Sequence, residues 1–531
     1  MKHPLRQPLK HLKHPIEYAI KLFPLFIGGF IVSGCMVGPN YKRPKAVISA
    51  RFKELRPAPG WQYANPHMAE LPKGTWWRIY NDPFLNKLEE QVQINNQNLV
   101  EYAARYRDAE ATISAIRAEL YPTLNADFSF NRQSSGNKSR SSGTMIDYNA
   151  LQSNKTTRTY NTYGTGLVAS WDLDVWGHIR RQIQAQIAET QASAADLANA
   201  RLSYQAQLAS TYFNLRYQDS LYKFLQHNIT FFERAYHITK NQYDAGTITR
   251  IPLLQAKTQL EQTRAQAIAT NVTRAQYEHA IATLMGKPPA DLSIPRGDLP
   301  TEIPKIPVSV PSTLLQRRPD IAAAERRMEE YNAQIGTAIA AFYPDIKLTA
   351  RYTYGGDPLG MLIQLANRIW ALGASATETL FEGGARVAAV REAKATYNAY
   401  VAQYRQTVLT ALQSVEDQLS NLRILAQQAQ EQEVAVQSAK QAAIVAFNQY
   451  MAGTSIYTTV ISAEVTAISN AETALQIQRS RILDSISLVE ALGGGWNVKD
   501  LPSKHLLQKS NILLPFIQKD LVKNPLNPSA H

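Results

Sequence analysis

The chain is written twice, and that duplication constrains its fold more than any other feature. Asn241-Gln242-Tyr243 followed by Ala245-Gly246-Thr247 recurs as Asn448-Gln449-Tyr450 followed by Ala452-Gly453-Thr454, 207 residues later. Leu284-Met285-Gly286 recurs as Leu492-Gly493-Gly494 at an offset of 208, and Gly177 with Arg180 recurs as Gly383 with Arg386 at 206. Tyr121-Pro122 recurs as Tyr343-Pro344, offset by 222. A nearly constant offset means duplicated structure, and a period this long makes each copy half of one architecture, not a solenoid unit. The larger first offset places a longer insertion early in copy one.

Both copies carry the same order of patterns. Residues 84–120 read as helix, with Asp82 as a cap before Pro83 at the first helical position. Pro122 stops that helix and restrains the residue before it. Leu124, Ala126, Phe128 and Phe130 then alternate with Asn125, Asp127, Ser129 and Asn131. After a Ser/Gly/Asn/Lys/Arg loop, roughly 133–158, a second alternation runs from Tyr163 to Leu173. Period two with one apolar face predicts a β-hairpin over 123–175. The Gly- and Pro-free run 178–243 predicts a helix of roughly 100 Å, followed by a return helix over 252–285. Residues 287–311 hold seven prolines and cannot be regular helix. Copy two repeats the series from residue 312 to 496: a helix to Ala341, a hairpin over 345–381, a long helix over 384–451 and a return helix over 455–491. Residues 35–83 read as an extended lead-in, and 497–531 as a flexible tail.

The start of the chain is specific. Lys2, Arg6, Lys10, Lys13 and Lys21 precede an apolar stretch, 22–34, too short to span a bilayer. It ends Val32-Ser33-Gly34-Cys35, which resembles a bacterial lipobox, so 1–34 is expected to be a signal peptide and Cys35 the lipidated first mature residue. Met36 follows where an Asp would retain a lipoprotein at the inner membrane, which by the same resemblance implies delivery to the outer membrane. Cys35 is the only cysteine, so no intrachain disulfide can form. The formal charge is +13, but no compact basic patch argues for nucleic acid.

These features together resemble the TolC-type outer-membrane efflux protein family, and within it the NodT/OprM-like lipoproteins of tripartite pumps. The residues that carry the resemblance are Cys35 with Val37-Gly38-Pro39-Asn40-Tyr41, the stretch Leu314 to Ala322 (Leu-Leu-Gln-Arg-Arg-Pro-Asp-Ile-Ala), the Tyr-Pro pairs, Leu380-Phe381-Glu382-Gly383-Gly384, and Leu492 to Trp496. The match covers roughly 35–496. The resemblance implies a mixed α/β membrane protein: four strands per chain in a trimeric twelve-stranded barrel, with long antiparallel helices forming a periplasmic cylinder. Physics points the same way. Strands of about ten residues can cross a bilayer when tilted, and Phe128, Phe130, Trp171, Tyr352, Tyr354 and Trp370 suit lipid and its interfaces. Four strands cannot close a barrel, and open edges are not tolerated in hydrocarbon, so copies must pool their strands.

No catalytic constellation is present, and no cofactor or metal is expected; His178, His227, His237 and His279 stand singly on helices. The resemblance places function at the helix-to-helix turns. Gly246, Thr247, Gly453, Thr454 and Ser455 fall where relatives meet a periplasmic adaptor, against the plainer reading of a helix cap. Relatives often carry Leu-Asp-Ala in the return helices; this chain has Leu254-Gln255-Ala256 and Ile461-Ser462-Ala463. An acidic ring is therefore not expected, and gate closure falls to Tyr243, Asp244, Arg250, Tyr450 and Tyr457, through hydrogen bonds or an Asp–Arg tie, beside Gln255 and Ser462. The implied function is a passive exit duct, working with an adaptor and an inner-membrane RND-type transporter that exports small molecules. A type I protein-secretion duct shares the architecture, and a structural periplasmic coiled-coil lipoprotein is the alternative from another class.

Overall fold

In a computed structural model, the protein is described over residues 36–46, 48–55, 74–135, 158–308, 311–357 and 359–508. The expected signal peptide, Cys35 and most of the loop between the first two strands lie outside these residues. The principal elements are α1 (Pro83–Asn95), α2 (Gln97–Ala118), β1 (Thr123–Ser135), β2 (Arg158–Leu173), α3 (His178–Asp244), α4 (Arg250–Leu284), α5 (Pro319–Ala340), β3 (Asp345–Gly356), β4 (Arg368–Thr377), α6 (Ala385–Met451) and α7 (Tyr457–Ala491). No helix among the described residues is long and apolar enough to cross a membrane. The chain forms two compact units, one of residues 36–42, 111–187 and 329–398 and one of 43–110, 188–328 and 399–508.

The first unit holds one antiparallel sheet in the order β1-β2-β3-β4. Its register sets residues of like character side by side. Leu124 faces Ala169, which faces Ala350, which faces Leu372. One row over, Ala126, Leu167, Tyr352 and Trp370 stand in line. Directly paired residues share a face, so the apolar sets of all four strands merge into one surface. The other face carries Asn125, Val168 and Arg351, then Asp127, Gly166 and Thr353. Strands β1 and β4 are the two edges. The segment after Cys35 is fixed beside the sheet's root. Val37 N donates to Trp176 O (3.2 Å), and the buried Arg181 donates to Val37 O and Gly38 O, each at 2.9 Å. Gly38 has φ +88°, and a Cβ there would meet the Gly336 backbone at 2.5 Å, so only glycine fits.

The second unit has a core of Trp76, Trp77, Tyr212, Phe213, Leu208, Leu215, Ile486 and Val489. Three expectations need correction here. The helix read over 84–120 is two helices. Asn96 leaves helical geometry, its Oδ1 accepts from Asn98 N (3.0 Å) and Leu99 N (3.2 Å), and its Nδ2 donates to Leu284 O (2.7 Å). A second cap and a helix-end carbonyl are thus both satisfied by one side chain. The lead-in is not extended throughout, since Trp76–Tyr80 is a 3-10 turn with both tryptophans buried. The tail is docked as far as Gln508. Trp496, Val498 and Leu501 pack on Ala195, Ala322 and Ala323, and Gln191 Nε2 donates to Pro502 O (2.8 Å).

The Pro-rich segment is held by charge. Asp219 on α3 accepts from Arg274 Nε (2.7 Å), Arg296 Nη1 (3.4 Å) and Gly297 N (3.2 Å). Arg216 and Arg274 in turn donate to Pro295 O (2.7 Å) and Ile294 O (2.6 Å). A segment without ladder bonds thereby has its carbonyls satisfied by guanidinium groups.

Candidate functional site

Two helix turns in the second unit repeat the same local chemistry. At the end of α3, Gly246 N donates to Tyr243 O (2.9 Å) and Thr247 N to Gln242 O (3.0 Å). At the end of α6, Gly453 N donates to Tyr450 O (2.9 Å) and Thr454 N to Gln449 O (2.9 Å). Each is a Schellman turn, with glycine in the left-handed region at φ +71° and +73°. The threonine hydroxyls donate to the same carbonyls, Thr247 to Gln242 O (2.8 Å) and Thr454 to Gln449 O (3.1 Å). The capping reading of these glycines is therefore sufficient for their conformation. A Cβ at either glycine would meet nothing within 4 Å, so both turns also present open backbone to solvent.

Behind the turns lies a small cluster made by four helices. Ala256 (α4), Tyr457 and Val460 (α7) form its buried centre, and Tyr236 (α3), Phe447 and Tyr450 (α6) pack on it. Tyr450 and Tyr457 lie ring to ring, with centroids 5.2 Å apart at 59°. The Tyr450 hydroxyl donates to Gln242 Oε1 and so ties α6 to α3. Tyr457 is 4% exposed and hydrogen-bonds Thr239 on α3. Burial pushes the Tyr457 hydroxyl up to about 12, against the smaller opposing effect of the Thr239 bond.

The remaining candidates divide. Gln255 and Ser462 come together across one open groove, with Ile251, Leu254 and Thr258 of α4 and Thr458 and Ile461 of α7. The Gln255 Oε1 is buried there with no hydrogen-bond partner among the described residues. Asp244 and Arg250 do not pair within the chain. Asp244 accepts from Lys240 Nζ, one turn back, at 3.0 Å, and Arg250 opens α4 with no ion pair among the described residues. Tyr243 and Ser455 lie at the turns, Tyr243 exposed and Ser455 half-buried. Sequence reasoning missed Thr239, Gln242 and Phe447. Gln242 sits inside the repeated Asn-Gln-Tyr, so the duplication was the available signal; Thr239 and Phe447 had none.

Comparison with known proteins gives these features a setting. The family model described as outer membrane efflux protein matches residues 88–287 and 310–494, the two copies of the duplication. The probable efflux pump outer membrane protein TtgC of Pseudomonas putida is 27% identical over 478 residues, covering 90% of this chain and 96% of its own length. The probable outer membrane lipoprotein SilC of Salmonella typhimurium is 27% identical over 472 residues, covering 88% of this chain and 97% of its own. The solved outer-membrane channel OprN superposes with a TM-score of 0.78 at 27% identity, covering 87% of this chain and 100% of its own.

Proposed function

This chain belongs to the outer membrane efflux protein family, and from that premise we propose that three copies form the duct by which an efflux pump empties through the outer membrane. Twelve strands, four from each copy, close one barrel in the membrane, and the long helices of the three copies line a cylinder. The observation that carries this reading is the sheet: one apolar face continuous over four strands, ending in two bare edges. Bare strand edges have no stable place in hydrocarbon, where each unpaired amide or carbonyl costs several kcal/mol. Closure by copies of the same chain removes both edges at once.

In this reading Cys35 carries the lipid that supplements the barrel as an anchor. The turns at Gly246 and Gly453 receive a periplasmic adaptor. The Tyr450–Gln242 and Tyr457–Thr239 ties hold the helix ends closed until the adaptor engages. An inner-membrane RND-type transporter supplies energy and selects small-molecule cargo. TtgC is named for toluene efflux in one strain, and that supports small solutes over polypeptides as cargo here. The test is native mass spectrometry of detergent-extracted protein with conductance measured in planar bilayers. Three-chain particles that conduct are expected. Single chains, or trimers that never conduct under any voltage or with adaptor added, overturn the reading.

A further inference from the structure

The end of the first hairpin docks on the start of the second, and the duplicated counterpart of that joint is bare. Trp176, just past β2, stacks on Tyr343 with centroids 4.8 Å apart at 24°, and its Nε1 donates to Pro344 O (3.0 Å). The joined strands run in register, with Leu173 opposite Ile346 and Ser170 opposite Thr349. Copy two is one residue shorter past β4, and its large apolar groups there have no such partner among the described residues. Leu380 and Phe381, just past β4, are 93% and 88% exposed, and Tyr121 is 52% exposed. Every residue of Thr123–Ser134 and of β4 is exposed as well.

The backbone carrying these bare side chains is already held. In copy one Arg180 Nε bonds Asp174 (3.0 Å); in copy two Arg386 bonds Glu378 (2.5 Å) and Glu382 (3.1 Å). The root of β4 is thus braced as the root of β2 is, but presents two large apolar groups to solvent. Unpaired apolar groups on a braced backbone mark a contact surface.

We propose that β4 of one copy pairs with β1 of the next copy in the register that joins β2 to β3, with Phe381 seated on the next copy's Tyr121-Pro122. This rests on the trimeric reading above and specifies its seam. Hairpin one pairs Thr123 with Ser170, and hairpin two pairs Asp345 with Thr377. Strand β3 therefore corresponds to β1 at an offset of 222 and β4 to β2 at 207. Carrying the β2–β3 pairs across by those offsets sets Leu380 opposite Leu124, Thr377 opposite Asp127, Ala376 opposite Phe128 and Ala374 opposite Phe130. The result keeps each strand's face: Leu124 meets Leu380 and the large Phe128 and Phe130 meet alanines, while Ala126 meets Glu378 and Arg132 meets Leu372. A slip of one residue would turn one strand's apolar row to the wrong side. Between Leu380 and Gly383 copy two has one residue fewer than copy one has between Leu173 and Gly177. Phe381-Glu382 thus stand where copy one has Asp174-Val175-Trp176, and Phe381 is the one aromatic of that segment available to take the part of Trp176.

The test combines Thr377→Cys with Asn125→Cys, Asp127→Cys or Ser129→Cys in the full-length lipoprotein, oxidised mildly in membranes and read on non-reducing denaturing gels. Directly opposed positions have Cβ atoms about 4.5–5.5 Å apart, diagonal ones farther, at up to about 8 Å. A disulfide needs about 3.5–4.5 Å. The pair with Asp127→Cys is expected to cross-link between chains at least tenfold faster than either flanking pair. Faster cross-linking through position 125 or 129, or none at all three, overturns the register. Native mass spectrometry of the single-cysteine variants separates the causes: three-chain particles with another register refute only the seam, whereas single chains refute the trimer with it.

Discussion

Removing one hydroxyl, by Tyr450→Phe, tests whether the helix ends are latched. The substitution deletes the donor to Gln242 and leaves the ring that lies 5.2 Å from Tyr457 in place. Packing is therefore conserved and the hydrogen bond is not. A neutral hydrogen bond contributes about 1 kcal/mol net. If three copies open together, the closed state loses about 3 kcal/mol, and at about 1.4 kcal/mol per factor of ten the open-to-closed ratio rises on the order of 100-fold. Single-channel recording in planar bilayers reads this directly as open probability, and vancomycin sensitivity reads it in cells. Gln242→Leu removes the acceptor instead, and the double variant is expected to add little to either single change, since all three break the same bond. An open probability within about twofold of wild type for Tyr450→Phe refutes the latch. Fully additive effects of the two substitutions refute the pairing as its cause.

Other expectations follow from the same cluster and from the core. Gly246→Ala and Gly453→Ala each place a Cβ at a left-handed residue in open space, at a cost of roughly 1 kcal/mol. Both are expected to leave trimer stability nearly intact and to weaken adaptor capture in a pull-down; undiminished capture removes the turns from the docking surface. Because burial raises Tyr457 from 10.0 to about 12, its contribution is complete below pH 10 and is lost as pH rises toward 12. Conductance is expected to rise over that window in wild type and to lose that step in Tyr457→Phe; a step that persists in the variant assigns it elsewhere. Glu89 on α1 is fully buried, neither carboxylate oxygen has a hydrogen-bond partner among the described residues, and burial holds its carboxyl well above the usual range. Its contribution is complete in acid and fades as pH rises, so Glu89→Met is expected to raise thermal stability at pH 8 by about 1–3 kcal/mol and by less at pH 5. Equal shifts at both pH values, or a loss, argue that the carboxyl is satisfied.

What could be read from the sequence divides along physical lines. The strands were legible because alternation at period two needs no partner to be seen, and the register then merged the apolar rows of all four. The turns were legible because glycine is needed where φ is positive. The break at Asn96 was not, because an Asn-Asn pair sits passably inside a helix; what decides it is a carbonyl at Leu284, 188 residues away, that needs a donor. The Tyr450–Gln242 bond spans 208 residues and depends on how two long helices are rotated, which no local pattern records. In place of the expected Arg250 tie, Asp244 pairs within the chain with Lys240, one turn back on its own helix, a partner that i,i+4 spacing offers and the gate reading does not name.

The duplication carries one step further. Tyr450 of copy two reaches Gln242 of copy one, and these residues correspond at the repeat offset to Tyr243 and Gln449. Within one chain both counterparts face solvent. The sheet behaves alike in its own unit, where the joint between hairpins is made once and its duplicate is left bare. A chain with two equivalent halves can satisfy only one of its two half-to-half joints internally. In the proposed trimer the other is made with another copy, and a head-to-tail contact either closes into a ring or runs on as a fibre. Closure leaves neither unpaired edges nor unpaired tyrosines. At the helix ends, then, the trimeric reading expects Tyr243 of one copy to reach Gln449 of the next, and Tyr243→Phe to open the channel to the same extent as Tyr450→Phe.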